Sequence, residues 1–280
     1  MVRICALVSY PVKGCAGVSH DVAHVGPAGL PHDRAFMVTD ADGDHRTQRA
    51  DPRLALARPS LTEDGRQLTL AAPGFDTLTV TVNATGPTRP VTLFGQPFTG
   101  IDQGEAAAEW FGELLGRACR LVRVPPDHRR VTDGLTPGTS GYADSTAVLM
   151  VSRASLAALH ERLADRGEPP LPMDRFRPNI VLDGVAAPHE EDRYRALTLG
   201  GVRLGFAKLA VRCAVTLVDQ RTGVRAGPEP LRTLAAYRRH PAGGVVFGAK
   251  FAVLRPGSLA VGDAPTELET ESAPHAEPAR

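Results

Sequence analysis

The residue best suited to metal chemistry is Cys213, which follows Arg212 directly. A deprotonated thiol is a soft ligand for transition metals, and a neighbouring guanidinium can favour that thiolate form. Apolar side chains alternate with other residues from Val211 to Leu217, which predicts a strand with Cys213 on its apolar face. The same pattern also fits a core cysteine that packs as a small hydrophobic side chain. Local sequence therefore leaves a metal ligand and a core residue as alternatives.

Two cations near the start of the chain lie in turn-like segments. Lys13 precedes Gly14, and Arg34 follows Asp33. Only three lysines occur in the chain, so each of them is informative. Turns of this kind suit anion binding, and arginine can grip a phosphate with two parallel hydrogen bonds. The alternative is that both side chains are ordinary solvated surface charges.

Two further polar segments precede predicted strands. In the first, Pro178 is predicted to restrict Arg177 to extended conformations, and Asn179 offers the donors and acceptor that suit a polar heterocycle. In the second, Asp144 is followed by the hydroxyls of Ser145 and Thr146, which can bind phosphate or cap a turn. A simple strand-entry turn is the alternative at both places.

The elements that must position these side chains are mostly strands. Helical spacing of apolar residues predicts helices over 105–115, 152–165 and 229–239, with Asp102 and Ser152 as caps of the first two. Residues 125–140 are predicted to form a long loop. Strands are predicted over 2–8, 35–39, 68–71, 77–82, 90–94, 147–151, 179–182, 196–199, 202–206, 211–218, 247–254 and 259–261.

The composition of the chain limits the classes of protein to which it can belong. The chain has 280 residues, 42% of them hydrophobic, and a net charge of +1 without a long basic run, which disfavours nucleic-acid binding. No apolar run approaches the roughly 18 residues of a membrane span. The four cysteines form no CxxC pair, so neither a zinc site nor a disulfide framework is indicated, and a reducing cytoplasm is expected.

Common catalytic motifs are absent from the sequence. The segment that begins at Gly138 lacks the spacing of a nucleophile elbow, and the one that begins at His189 is not a zinc-protease motif. Neither a dinucleotide-binding glycine pattern nor a phosphate-binding P-loop is present. The sequence therefore matches none of these common catalytic templates.

Taken together, these segments resemble the MOSC family, and their number and order make the likeness specific. The N-terminal pieces are residues 10–15, 29–30, 33–34, 47–49 and 51–53, and the later pieces are residues 142–146, 176–181, 191–192, 212–213, 219–223, 230–231 and 247–248. The resemblance covers roughly residues 1–263. It is greatest to the mitochondrial amidoxime-reducing component and its bacterial counterparts, and it extends to the C-terminal domain of molybdenum cofactor sulfurases.

The resemblance implies a β-rich α+β fold of two β-barrel-like domains with a few helices. The expected division is 1–125 for the N-terminal domain, 126–263 for the MOSC domain and 264–280 for a disordered tail. The molybdenum cofactor (Mo-molybdopterin) would lie between the domains, with Cys213 as the thiolate ligand to the metal. The residues implied to hold the pterin and its phosphate are Lys13, Gly14, Arg34, Ser145, Thr146, Arg177, Asn179 and Arg212. Asp144 would be an acidic group near the substrate side of the metal.

The expected activity is reduction of N-hydroxylated small molecules, with Asp144 in proton delivery. The chain lacks an appended ferredoxin domain with clustered cysteines, so a separate electron donor, a ferredoxin or similar protein, is expected. Gly14 and Val211 depart from the family pattern, in which a serine and a small polar residue are common. Two alternatives remain: a sulfurtransferase that carries a persulfide on Cys213, and a non-enzymatic cofactor-binding protein.

Overall fold

Alternating apolar and polar residues make strands the main component of this protein, which a computed structural model describes over residues 1–271. The α-helices of this part of the chain are α1 (Glu105–Leu115), α2 (Arg153–Ala164) and α3 (Leu231–Tyr237). The largest sheet has the spatial order β2 (Val18–His20), β1 (Arg3–Ser9), β14 (Ile180–Asp183), β13 (Val148–Ser152), β19 (Val245–Arg255), β16 (Val202–Arg212), β15 (Tyr194–Leu199) and β21 (Pro265–Thr270).

The remaining strands form smaller sheets. A four-stranded sheet has the order β4 (Phe36–Thr39), β10 (Arg120–Arg123), β9 (Gln96–Asp102) and β8 (Thr88–Leu93). A three-stranded sheet contains β5 (Arg58–Leu61), β6 (Gln67–Ala72) and β7 (Phe75–Thr81). Three two-stranded ladders join β11 (Val131–Thr132) to β12 (Gly138–Thr139), β17 (Val218–Asp219) to β18 (Val224–Arg225), and β3 (Val22–Val25) to β20 (Gly257–Ala260).

Three loops meet at one end of the largest sheet. Strands β13 and β14 are parallel, with Met150 opposite Ile180, and α2 makes the crossover between them. The segments that precede these two strands therefore lie at the same end. Strand β1 is antiparallel to β14, so the chain that leaves β1 arrives at that end as well. Segments that are far apart in sequence are thereby brought together.

Packing fixes this arrangement from both faces of the sheet. One face carries an apolar cluster that includes Ile4, Met150 and Phe251, all fully buried. Helices α2 and α3 cover another cluster around Leu159 and Phe247. A separate cluster packs α1 against the β5–β7 sheet and the neighbouring strands β4 and β10. The strand ends that carry the polar loops are thus held by rigid, close-packed elements.

The predicted helices are present, with one error in their caps. Helix α1 has the predicted bounds, but Gly104 is its N-cap, and Asp102 instead accepts a hydrogen bond from the Gly104 N–H at 2.8 Å. Ser152 caps α2 as predicted, since its hydroxyl accepts from the Ser155 N–H at 3.1 Å. Helix α3 is shorter than the predicted 229–239.

Three predictions about extended segments were wrong. The strand predicted over 211–218 ends at Arg212, and a single 3₁₀ turn over Ala214–Leu217 follows Cys213. The predicted loop over 125–140 contains the β11–β12 hairpin. The tail predicted to be disordered from residue 264 forms β21, which pairs with β15; residues 272–280 lie outside the described part of the chain.

The β-rich α+β class is confirmed, but closed barrels are not. Within residues 1–271 the largest sheet is open, with β2 and β21 as its edge strands. The division at residues 125 and 263 stays a prediction, and β1 shares a sheet with strands of the second half of the chain. No helix of this described range is long and apolar enough to cross a bilayer.

Candidate functional site

The three loops surround a cleft with an empty volume of about 890 Å³, including its open mouth. Every residue predicted to take part in a site borders it. These residues are Lys13, Gly14, Arg34, Asp144, Ser145, Thr146, Arg177, Asn179, Arg212 and Cys213. They come from five separate segments of the chain, and only the tertiary structure brings them together.

Cys213 lies in the wall of the cleft and is not a core residue. Its backbone is extended and marks the start of the 3₁₀ turn, where both the N–H and the hydroxyl of Thr216 donate to the Cys213 carbonyl at 3.1 and 3.0 Å. The Sγ atom accepts from Nη1 of Arg49 at 3.4 Å. The thiolate is the form of cysteine that binds metals, and this sulfur lies beside a guanidinium. The carbonyl contacts fix the backbone that carries the sulfur.

Lys13 and Asp144 form an ion pair across the cleft, in which Nζ of Lys13 donates to Oδ1 of Asp144. About half of the Asp144 side chain is exposed to the cleft, whereas Lys13 is buried. Burial alone would raise the pKa of Asp144, but Lys13, Lys250 and Arg34 outweigh it and hold that pKa below its usual range. Burial lowers the pKa of Lys13, and Asp144 opposes that change. Asp144 is therefore ionised at neutral pH.

Asn179 is a positioning residue for the neighbouring cation, because its amide is fully occupied within the protein. Its Nδ2 donates to the Val8 carbonyl and to Asp33 Oδ1, both at 3.0 Å. Its Oδ1 accepts from Arg34 Nη1 and from the Leu149 N–H, both at 3.1 Å. These four bonds exhaust the amide. Direct cofactor binding by this side chain, as predicted, is therefore not supported by the geometry.

Arg34 and Arg177 are held in unusual backbone conformations. Their φ angles are +49° and +55°, in the left-handed region that non-glycine residues rarely adopt. The value for Arg177 contradicts the extended conformation expected before Pro178. Asp33 compensates by accepting two hydrogen bonds from Arg34 Nη1, at 2.7 and 2.6 Å, and both guanidinium groups lie within 4.4 Å of the Tyr10 ring.

Four polar side-chain atoms on residues that line the cleft are buried without a hydrogen-bond partner among the described residues. They are Ser145 Oγ, Thr146 Oγ1, Arg177 Nη2 and Arg212 Nε. Buried polar groups are nearly always paired in folded proteins, so these four donors require partners from a ligand or from ordered water. Two hydroxyls and two guanidinium N–H groups suit an oxyanion such as phosphate.

Arg212 connects this donor set to the cysteine. Its Nη2 donates to the Phe176 carbonyl at 2.7 Å, which leaves Nε free. Burial lowers the pKa of Arg212 to about 10, with the Cys213 thiolate opposing this shift. The side chain therefore stays charged at neutral pH.

Sequence reasoning missed several residues of the cleft. Arg49 contacts the sulfur, and Gln48 donates to the Gly14 carbonyl at 2.6 Å and to Gln220 at 2.9 Å. Lys250 borders the cleft from β19. The scarcity of lysine was a usable signal, because two of the three lysines of the chain, Lys13 and Lys250, face this cleft.

Comparison with known proteins agrees with this arrangement of residues. Residues 1–118 match the MOSC N-terminal beta barrel domain, and residues 137–266 match the MOSC domain. Mitochondrial amidoxime reducing component 2 of Bos taurus is 35% identical over 274 residues, which covers 91% of this chain and 80% of the relative.

Two further relatives extend the comparison. Mitochondrial amidoxime-reducing component 1 of Homo sapiens is also 35% identical over 274 residues, with 91% of this chain and 79% of the relative covered. Molybdenum cofactor sulfurase of Danio rerio is 30% identical over 264 residues, with 88% of this chain but 31% of the relative covered. The chain therefore belongs to the MOSC family.

Proposed function

We propose that this protein is a molybdenum-cofactor-dependent oxidoreductase that reduces N-hydroxylated small molecules. The observation that carries the proposal is the set of four unpartnered donors beside Cys213 in a single cleft. Relatives named as amidoxime-reducing components, about 35% identical over 91% of the chain, support the choice of reaction.

The donors of the cleft fit such a cofactor. Ser145, Thr146 and Arg177 would hold its phosphate, and Arg212 would hold the pterin side next to the cysteine. Cys213 would supply a thiolate to the metal, since this residue lines the cleft and its sulfur accepts a hydrogen bond from Arg49. When bound, the cofactor would supply the two-electron chemistry, and the protein would orient it and tune its field.

The reaction also requires protons at a defined place. Reduction of an N-hydroxyl group breaks the N–O bond, consumes two electrons and two protons, and releases water. Asp144 cannot donate a proton while it is ionised, so the expectation that it delivers one is revised. In the pair that it forms with Lys13, the lysine is the protonated member and would orient or protonate the leaving oxygen.

The two electrons would come from a separate donor protein, a ferredoxin or a protein like it. Arg53, Arg221 and Arg225 are exposed and have no acidic partner within residues 1–271. Arg225 Nη2 donates to the Arg49 carbonyl at 2.7 Å, so this basic surface adjoins the residue that contacts Cys213. An acidic donor would complement it.

The four free cysteines suit a reducing compartment such as the cytoplasm, which we include in the proposal.

The test is cofactor content followed by activity. Protein would be produced in a host that makes the molybdenum cofactor, as wild type, Cys213→Ser and the matched control Cys5→Ser, whose cysteine lies on β1. We expect near-stoichiometric molybdenum and pterin in the wild type and the control, and loss of molybdenum in Cys213→Ser. A fully loaded wild type that reduces no amidoxime, hydroxylamine or N-oxide with dithionite-reduced viologen would refute the reductase.

Sulfur transfer is the second candidate, and the Arg49–Cys213 contact favours it too. A thiolate stabilised in this way could accept a sulfane sulfur from the persulfide of a cysteine desulfurase, with the donor cysteine leaving as a thiol. Mass spectrometry after incubation with a desulfurase would detect 32 Da, roughly, added at Cys213. A persulfide on Cys213 in protein that contains no molybdenum cofactor would favour sulfur transfer over the reductase.

A further inference from the structure

Lys250 is a second cationic feature of the cleft, distinct from the donors assigned to the cofactor. It lies on β19, opposite Leu149 of β13 and Lys208 of β16. Leu149 and Lys250 both border the cleft, whereas Lys208 instead donates to both carboxylate oxygens of Asp133 at 2.7 Å. Adjacent lysines of the same sheet thus have different surroundings.

Lys250 is the cleft cation without a polar partner in the described part of the chain. Each other cation of the cleft has one. The pairs are Lys13 with Asp144, Arg34 with Asp33, Arg49 with Cys213, Arg177 with Gln220 and Arg212 with the Phe176 carbonyl. Lys250 is half-buried at the wall of the cleft, so its ammonium is available to an incoming anion.

The electrostatic surroundings of Lys250 support this reading. Burial lowers its pKa to about 8, Asp144 opposes the change, and Arg212, Lys208 and Arg34 add to it. Lys250 is therefore mostly charged at neutral pH. Asp144 is already hydrogen-bonded to Lys13, so it does not neutralise Lys250 directly.

Lys250 and Asp144 act on each other within the cleft. Asp144 is the charged group that most strongly opposes the effect of burial on Lys250, and Lys250 in turn helps to hold the pKa of Asp144 below its usual range. About half of the Asp144 side chain is exposed. The charge of Lys250 therefore acts in the part of the cleft that Asp144 occupies.

We propose that Lys250 binds an anionic group of the substrate, so that the preferred substrates carry a carboxylate together with the N-hydroxyl group. This inference rests on the proposed function for the reaction, but the binding that it describes can be measured without turnover. An ammonium is a compact point charge that suits a single carboxylate. The cofactor phosphate would remain with the donors near Arg177.

The experiment compares benzamidoxime with 4-carboxybenzamidoxime, which differ in one carboxylate. Holoenzyme would be used as wild type, Lys250→Met, Lys250→Arg and the matched control Lys208→Met. We expect Lys250→Met to lower kcat/KM for the carboxylated substrate about tenfold, mainly through KM, because one charge-assisted hydrogen bond is lost. Benzamidoxime should change less than about twofold. Lys250→Arg should keep most of the preference, and Lys208→Met should behave as wild type.

Calorimetric titration of 4-carboxybenzamidoxime into the oxidised holoenzyme separates this inference from the proposed function. If neither amidoxime is reduced, the function fails, but a binding loss of about tenfold in Lys250→Met alone would still support the anion site. Equal effects of Lys250→Met on both compounds would overturn the inference. So would a fall in the molybdenum or pterin content of Lys250→Met, since that would assign Lys250 to the cofactor.

Discussion

A single amide organises the cationic side of the cleft. Asn179 joins the Val8 carbonyl, Asp33, Arg34 and the Leu149 N–H, which belong to three different segments. It is almost completely buried, at 1% exposure. Asp33 and Asn179 together hold Arg34 in a backbone conformation that is unfavourable for arginine. The strained backbone of Arg34 is tolerated because several buried hydrogen bonds together fix the position of its guanidinium.

Replacing Asn179 should therefore damage both stability and cofactor retention. We expect Asn179→Leu to lower the free energy of unfolding by about 2–4 kcal/mol, because it leaves buried donors and acceptors unpaired. The measurement is urea unfolding of the cofactor-free protein. Asn83→Leu, which removes one side-chain donation to the Asp102 carbonyl at 3.2 Å, should cost only about 1 kcal/mol. Equal costs for the two variants would contradict the role assigned to Asn179.

At the scale of elements, the cleft depends on the direction of strands. The loops before β13 and β14 meet because these strands are parallel, and β1 ends beside them because it is antiparallel to β14. Close packing maintains this order: a Cβ atom at Gly248 of β19 would lie 2.6 Å from the Met150 carbonyl oxygen. Only glycine fits at that point, where φ is +80°.

The last strand, β21, should contribute to stability although it looked like a tail in the sequence. It pairs with β15 from Tyr194 to Leu199, and Glu267 accepts from Arg203 at 2.6 Å. A chain that ends at Asp263 should lose about 2 kcal/mol relative to one that ends at Glu271, because the edge of the sheet loses its backbone hydrogen bonds. Thermal unfolding of both truncations measures this. Identical melting temperatures of the two truncations would mean that β21 does not contribute to stability.

At the scale of the whole molecule, charge is distributed unevenly. The net charge is only +1, yet six cations border one cleft, and three more arginines lie exposed with no acidic partner in the described chain. Local fields of this kind act on nearby anions even when the total charge is near zero. Three anionic partners are thereby accommodated in our proposals: the cofactor and a substrate carboxylate within the cleft, and an acidic electron donor beside it.

This charge distribution predicts a salt dependence that is confined to the protein donor. Turnover driven by an acidic ferredoxin should fall roughly fivefold between low and moderate salt, because the encounter is steered by charge. Turnover with reduced viologen should change little. The triple variant Arg53→Glu, Arg221→Glu and Arg225→Glu should lose ferredoxin-driven turnover only, and Arg66→Glu, outside the cleft, is the control. Insensitivity of the triple variant would exclude this surface as the docking site.

The sequence by itself determined the main helices and most strands, because periodic apolar patterns report burial directly. It also determined the residues around the cleft, since the family motifs carry their types and order. Errors occurred where local pattern competed with tertiary contacts. Alternation continued past Arg212, yet the chain turns there because Thr216 binds the Cys213 carbonyl. The polar segment after residue 264 became a strand because β15 offered an unpaired edge.

Only the tertiary structure decided what each polar residue does. The sequence did not separate the roles of Asn179 and Lys250, but four neighbours saturate the first, and no described side chain or backbone group pairs with the second. Hydrogen-bond saturation depends on the surrounding segments in three dimensions, which local sequence does not contain. For the same reason, local sequence does not show that Asp144 is ionised. Its main partner, Lys13, lies 131 positions away in the chain and is placed beside it by the fold.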